Sequence, residues 1–160
     1  MSIFETTYYD QACCCVVYLL KINMKNEFWI NLATKDVLKA QEFFIKIGFI
    51  LNNRHQAPHM VSLFVGHKQI VVNIFAENIF QNFIGGQPIT NTNQSNEVLF
   101  SIGAESPEEV DKLAQKVIEA GGSLYAQPGY KDGWMYGCGF KDLDGHRWNV
   151  LYMDISKMLK

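Results

Sequence analysis

The order of elements repeats within the chain, and that repetition limits the possible folds more than any other feature. Phe28, Ile30 and Leu32 alternate with Trp29, Asn31 and Ala33, the period of a strand with two unlike faces. Asp36 then stands as a helix N-cap, and Ala40, Phe43, Phe44 and Ile47 follow at helical spacing until Gly48 stops the run. Three short strands are predicted behind it, at Phe49 to Arg54, Met60 to Val65 and Gln69 to Phe75. After a polar connector the same order returns. Val98, Phe100, Ile102 and Ala104 form the apolar side of a second leading strand. Ser106, Pro107 and Glu109 form a capping box with proline at the first helical position, ahead of a stripe of Val110, Leu113, Ala114, Val117 and Ile118 that ends at Gly121 and Gly122. Strands are predicted at Ser123 to Gln127, Trp134 to Lys141 and Arg147 to Met153.

Each half therefore reads βαβββ, with Asp36 matching Ser106 and Gly48 matching Gly121. The fold class is α+β, with two modules at 27–76 and 97–154 joined by a connector at 77–96. Each helix is expected to cover the wholly apolar face of its own sheet. The mixed faces, carrying Trp29, Asn31, Glu97 and Ser101, are left to line something else. In the connector, Ile79, Phe80, Phe83 and Ile84 predict one or two helical turns packed inward, and Gly85 to Asn96 reads as a linker.

Composition narrows the function classes. A chain of 160 residues that is 48% hydrophobic forms a core without disulfides or a structural metal. Its 14 basic and 16 acidic residues, with no basic run, argue against a nucleic-acid partner. Three of its four cysteines, Cys13, Cys14 and Cys15, are adjacent, so no disulfide framework is expected and a reducing cytoplasm is. The longest apolar stretch, Ala12 to Leu20, is too short to span a bilayer and lacks the basic start of a secretory signal. Residues 1–26 read as a leader or extension, with Met24 a possible alternative start. His55 and His59 flank Pro58, which opposes a helix that would bring both to one metal. The Asp142, Asp144 and Gly145 string is explained by turn chemistry, and Cys138 by a structural thiol.

The segments FWINLATKDVLKAQEFFIKIGF, EVLFSIGAESPEEVDKLAQKVIEAGG and YGCGFKDLDGHRWNVLYMD resemble the vicinal oxygen chelate superfamily of glyoxalases, bleomycin resistance proteins and extradiol dioxygenases. The resemblance runs from Glu27 to Asp154. It implies modules whose curved mixed sheets enclose a cleft, with a homodimer often completing it. In metal-using members, one His, Glu or Gln from each of four strands holds a divalent metal that stabilises an oxyanion. Carried onto this chain, those four positions fall on Trp29, Asn73, Glu97 and Asn149, of which only Glu97 is a good metal ligand. The resemblance with this departure points to a small-molecule binding protein without metal, with Trp29, Asn73, Glu97, Asn149 and Tyr136 lining the pocket. The alternative it leaves open is a metal-dependent lyase, isomerase or dioxygenase, or an enzyme with Glu97 as catalytic general base.

Overall fold

In the computed structural model, the described residues are 28–54, 57–67 and 69–158. The extension at 1–26 and His55 lie outside them. The first module runs β1 (Trp29–Thr34), α1 (Val37–Ile47), β2 (Ile50–Leu51), β3 (Met60–Val65) and β4 (Ile70–Ala76). The connector carries α2 (Glu77–Phe83). The second module runs β5 (Leu99–Gly103), α3 (Pro107–Glu119), β6 (Ser123–Lys131), β7 (Met135–Lys141) and β8 (Arg147–Met153), and α4 (Ile155–Met158) follows. Both sheets are four-stranded and share one topology, β1-β4-β3-β2 and β5-β8-β7-β6, with a parallel first pair and antiparallel neighbours. The α+β duplication read from the sequence is the architecture observed.

Local chemistry sets the helix ends. The Asp36 carboxylate accepts the Lys39 N–H at 3.1 Å and is held below the usual carboxylate range chiefly by that bond. Gly48, at φ 104°, turns the chain in the left-handed region that a side chain would resist. Ser106 accepts the Glu109 N–H at 3.3 Å, but the return bond of the capping box is displaced: the Glu109 carboxylate accepts from Glu105 N–H at 2.7 Å, one residue early.

Several boundaries differ from expectation. The strand read from Phe49 to Arg54 shrinks to Ile50–Leu51, because the Asn52 side chain accepts the Arg54 N–H at 3.2 Å and bends the chain into a turn. The strand read as ending at Gln127 continues through Pro128 to Lys131, which an edge strand with shifted register tolerates. Of the four connector residues read as packing inward, Ile79 and Phe80 are half-buried, whereas Ile84 is exposed, as is Phe83, which meets the edge of Phe75 at a centroid distance of 5.1 Å. Ile118, read as part of the α3 stripe, is exposed, while Val110, Ala114 and Val117 are buried.

One core serves both modules. Helix α1 packs on β3 and β4 of its own sheet, and its Phe44 also meets Trp148 of β8 at 5.6 Å while Phe43 meets Phe140 of β7 at 6.5 Å. Helix α3 packs on β6, β7 and β8 and touches α1. Both sheets thus turn their apolar faces to a shared helical layer, so their other faces both point outward. Cys138 lies in this core, and burial pushes its thiol up to about 11. A raised thiol stays protonated, so the stability it contributes is full below the unfolded value near 8.5 and falls as pH rises toward 11. Peptide mapping after iodoacetamide at pH 8 should find Cys138 unmodified in the native protein and modified in urea; rapid native labelling would refute the buried placement.

Candidate functional site

The outward face of the first sheet carries a polar row between two apolar rows. Because side chains alternate along a strand, Asn31, Asn73 and Ser62, which are in register across β1, β4 and β3, share one face. Trp29, Val71 and Phe64 form the row on one side, and Ala33, Phe75 and Met60 the row on the other. The polar row is joined end to end. Asn52 Nδ2 donates to Ser62 Oγ at 3.2 Å, Ser62 Oγ to Asn73 Oδ1 at 2.7 Å, and Asn73 Nδ2 to Asn31 Oδ1 at 3.1 Å. Asn52, Ser62 and Asn73 are buried, whereas Asn31 is exposed. Polar groups this deep persist only when paired, and here each one is.

Above this relay lies a cavity of about 340 Å³ lined by Trp29, Asn31, Met60, Asn73, Phe75 and Phe83, among others. Trp29 is half exposed. A second cavity, of about 290 Å³, opens where β1 approaches the chain leading into β5. Asn31, Phe80, Val98, Glu97 and His146 line it, and connector residues Pro88 to Thr90 form part of its wall. Asn31 is common to both.

The other site residues read from the sequence are placed elsewhere. Asn149 is on the outward face of the second sheet, where its Oδ1 accepts the Tyr125 hydroxyl at 2.6 Å; Arg147 lies 5.1 Å over the Tyr125 ring. Burial pushes the Tyr125 phenol above its ordinary value. That ring occupies the space over Gly139 where any Cβ would sit. Tyr136 is a correction. It shares parity with Cys138 and Phe140, so it turns to the helical side and donates to Asp111 of α3 at 2.9 Å. Instead of converging, Trp29 and Asn73 share the outward face of the first sheet, Glu97 lines the second cavity with Asn31, and Asn149 lies on the outward face of the second sheet.

The turn before β8 locks the modules together. Buried Asp142 accepts from Asp144 N–H, His146 N–H and Trp148 Nε1–H at 3.1, 2.9 and 3.1 Å. Burial pushes its carboxyl up despite these donors. Across the module boundary, Asp144 accepts the Lys35 N–H at 3.0 Å, and His146 Nε2, 2.9 Å from the Ala33 carbonyl, donates to it. Thr92 of the connector donates to the Asp144 carbonyl. Turn chemistry was legible in the sequence, but the role of His146 as a tie between modules was not.

No family model and no curated protein matches the sequence. Solved structures do. The hypothetical protein SA1046 from S. aureus is 36% identical, with a TM-score of 0.69 over 79% of this chain and 93% of that one. The chain belongs to the family of SA1046 and has the vicinal oxygen chelate fold. The fold is shared with a glyoxalase/bleomycin resistance protein/dioxygenase family enzyme from Burkholderia phytofirmans PsJN, at 17% identity and TM-score 0.67 over 78% and 96% of the two chains. It is shared also with a glyoxalase-related enzyme from Fulvimarina pelagi, at 17% identity and TM-score 0.69 over 80% and 88%.

Members of the vicinal oxygen chelate superfamily often use a divalent metal, so the fit of these residues to one matters. They do not fit. The indole of Trp29 offers no donor, and the amide oxygens of Asn73 and Asn149 already accept from Ser62 and Tyr125. Glu97 shares its cavity with His146, but among the described residues no three His, Cys, Asp or Glu side chains cluster as a metal-holding group. The sequence did not flag Asn52 and Ser62. Their one signal is a polar residue interrupting an apolar strand run, as Ser62 does between Val61 and Leu63.

Proposed function

We propose that this protein binds a small, largely apolar molecule on the outward face of its first sheet, without a divalent metal. The observation that carries this reading is Trp29, a large aromatic left half exposed beside an amide anchored from beneath by the buried relay, over a cavity of about 340 Å³. An apolar surface with few fixed polar groups is the usual composition of a ligand pocket. A homodimer in the cytoplasm fits the reading. Phe28, Ile50, Val98 and Leu99 are exposed apolar residues of the kind a second copy covers, and the partner would bring a second-sheet face against this one. No helix among the described residues is long and apolar enough to cross a membrane.

The test is a fluorescence screen of the wild type against Trp29→Phe, which separates Trp29 from Trp134 and Trp148, run with elemental analysis and light scattering. Ligand-dependent signal lost in Trp29→Phe, no stoichiometric metal and twice the 18.3 kDa chain mass are expected. A silent Trp29 across a broad library, or a bound metal, would overturn the reading. A second reading rests on Glu97, which lines one cavity with Asn31 and His146 and places a carboxylate there as a general base. It requires turnover of some compound in a substrate screen that Glu97→Gln abolishes.

A further inference from the structure

The relay beneath the cavity has a direction, and that direction states what a ligand must present. Its inner end is fixed by a group that cannot turn over: the Arg54 backbone N–H donates to Asn52 Oδ1 at 3.2 Å. Asn52 therefore offers Nδ2 to Ser62 Oγ at 3.2 Å. Ser62, already accepting, sends its own proton to Asn73 Oδ1 at 2.7 Å, which leaves Asn73 Nδ2 to donate to Asn31 Oδ1 at 3.1 Å. Reversing Asn31 alone would set two N–H groups against each other. Reversing Asn73 as well would leave the proton of buried Ser62 without its acceptor.

Resting on the binding reading above, we infer that Asn31 is a specificity-determining residue that presents its amide N–H to the pocket, so that the ligand is a flat apolar molecule bearing an uncharged hydrogen-bond acceptor of the carbonyl class. Asn31 Nδ2 has no partner among the described residues, and Asn31 is exposed at the junction of the two cavities. None of the described residues that line the cavity over Trp29 is charged, so none of them compensates the desolvation of a carboxylate or phosphate. The ring of Trp29 supplies a flat apolar surface two residues along the same strand face. Donor, platform and a described lining without a cation together select an aromatic ketone over the matching hydrocarbon or acid.

The experiment uses three probes of one shape, 2-acetylnaphthalene, 2-ethylnaphthalene and 2-naphthoate, titrated into the full chain. The ketone is expected to bind about tenfold more tightly than the hydrocarbon, the worth of one neutral hydrogen bond, and more tightly than the acid. Asn31→Leu is expected to bring the ketone-to-hydrocarbon ratio close to one. Ser62→Ala should lower it too, since Asn73 and Asn31 can then turn over. A readout independent of any variant is the side-chain amide signal of Asn31 in 15N-labelled protein, which should move downfield with the ketone and not with the hydrocarbon. Equal binding of ketone and hydrocarbon, or an unmoved amide signal, overturns this inference and leaves the binding reading standing. Tightest binding of the acid overturns the requirement for an uncharged acceptor. If none of the three binds, this inference falls, and the library screen above decides the binding reading separately.

Discussion

Trp148→Ala is expected to remove about 4 to 6 kcal/mol of folding stability, enough to leave a domain of this size marginal or unfolded. Trp148 is almost wholly buried and stands where the modules meet. Its ring contacts Phe44 and Phe49 of the first module at 5.6 Å each, and Phe100 and Phe140 of the second at 4.5 and 6.1 Å. Truncation opens a cavity that rings on four different chain segments cannot collapse to fill. It also removes the Nε1–H from Asp142, leaving a buried carboxylate with two donors in place of three. Urea unfolding measures the loss. Trp148→Phe separates the two contributions, since it keeps most of the ring packing and deletes only the donor, and should cost about 1 to 3 kcal/mol. If both variants unfold at the wild-type midpoint, Trp148 is not the residue that joins the modules.

Replacing Asn73 by leucine is expected to cost about 2 to 4 kcal/mol and to abolish ligand binding at the same time. The two side chains share the same number of heavy atoms and the same branching at Cγ, so the loss is chiefly polar. Ser62 Oγ, buried, loses its acceptor, and Asn31 loses the donor that fixes its amide. The double variant Ser62→Ala with Asn73→Leu is expected to recover part of the stability, because removing both partners costs less than orphaning one, while binding stays absent. Chemical denaturation and the Trp29 titration read the two effects on the same samples. Should the single and double variants be equally stable, the relay does not hold this face together.

Much of the fold was legible because its signals are local. Asp36 and Gly48 bound one helix where the structure places it, and Ala40, Phe43, Phe44 and Ile47 are its buried residues. What failed was set by partners far along the chain. Phe49 to Arg54 reads as a strand on composition, but the Asn52 amide bends the backbone after Leu51 and its other end is tied to Ser62. The sequence pattern does not fix the strand parity of Tyr136, and one residue of register separates the pocket side from Asp111.

By itself, the sequence determined the duplicated βαβββ order, the helix caps and the alternation that gives each sheet one apolar face, because those depend on residues a few positions apart. Residue type alone also makes Trp29, Asn73 and Asn149 poor metal donors at three of the four positions that the resemblance implies, with Glu97 the exception. Only the tertiary structure decided that both apolar faces turn to one shared helical layer, which sends Trp29 and Asn149 to separate outward faces. Only it set the direction of the relay ending at Asn31. Hydrogen bonds between residues 10, 11 and 42 positions apart exist only once the strands are paired, and no local pattern encodes them.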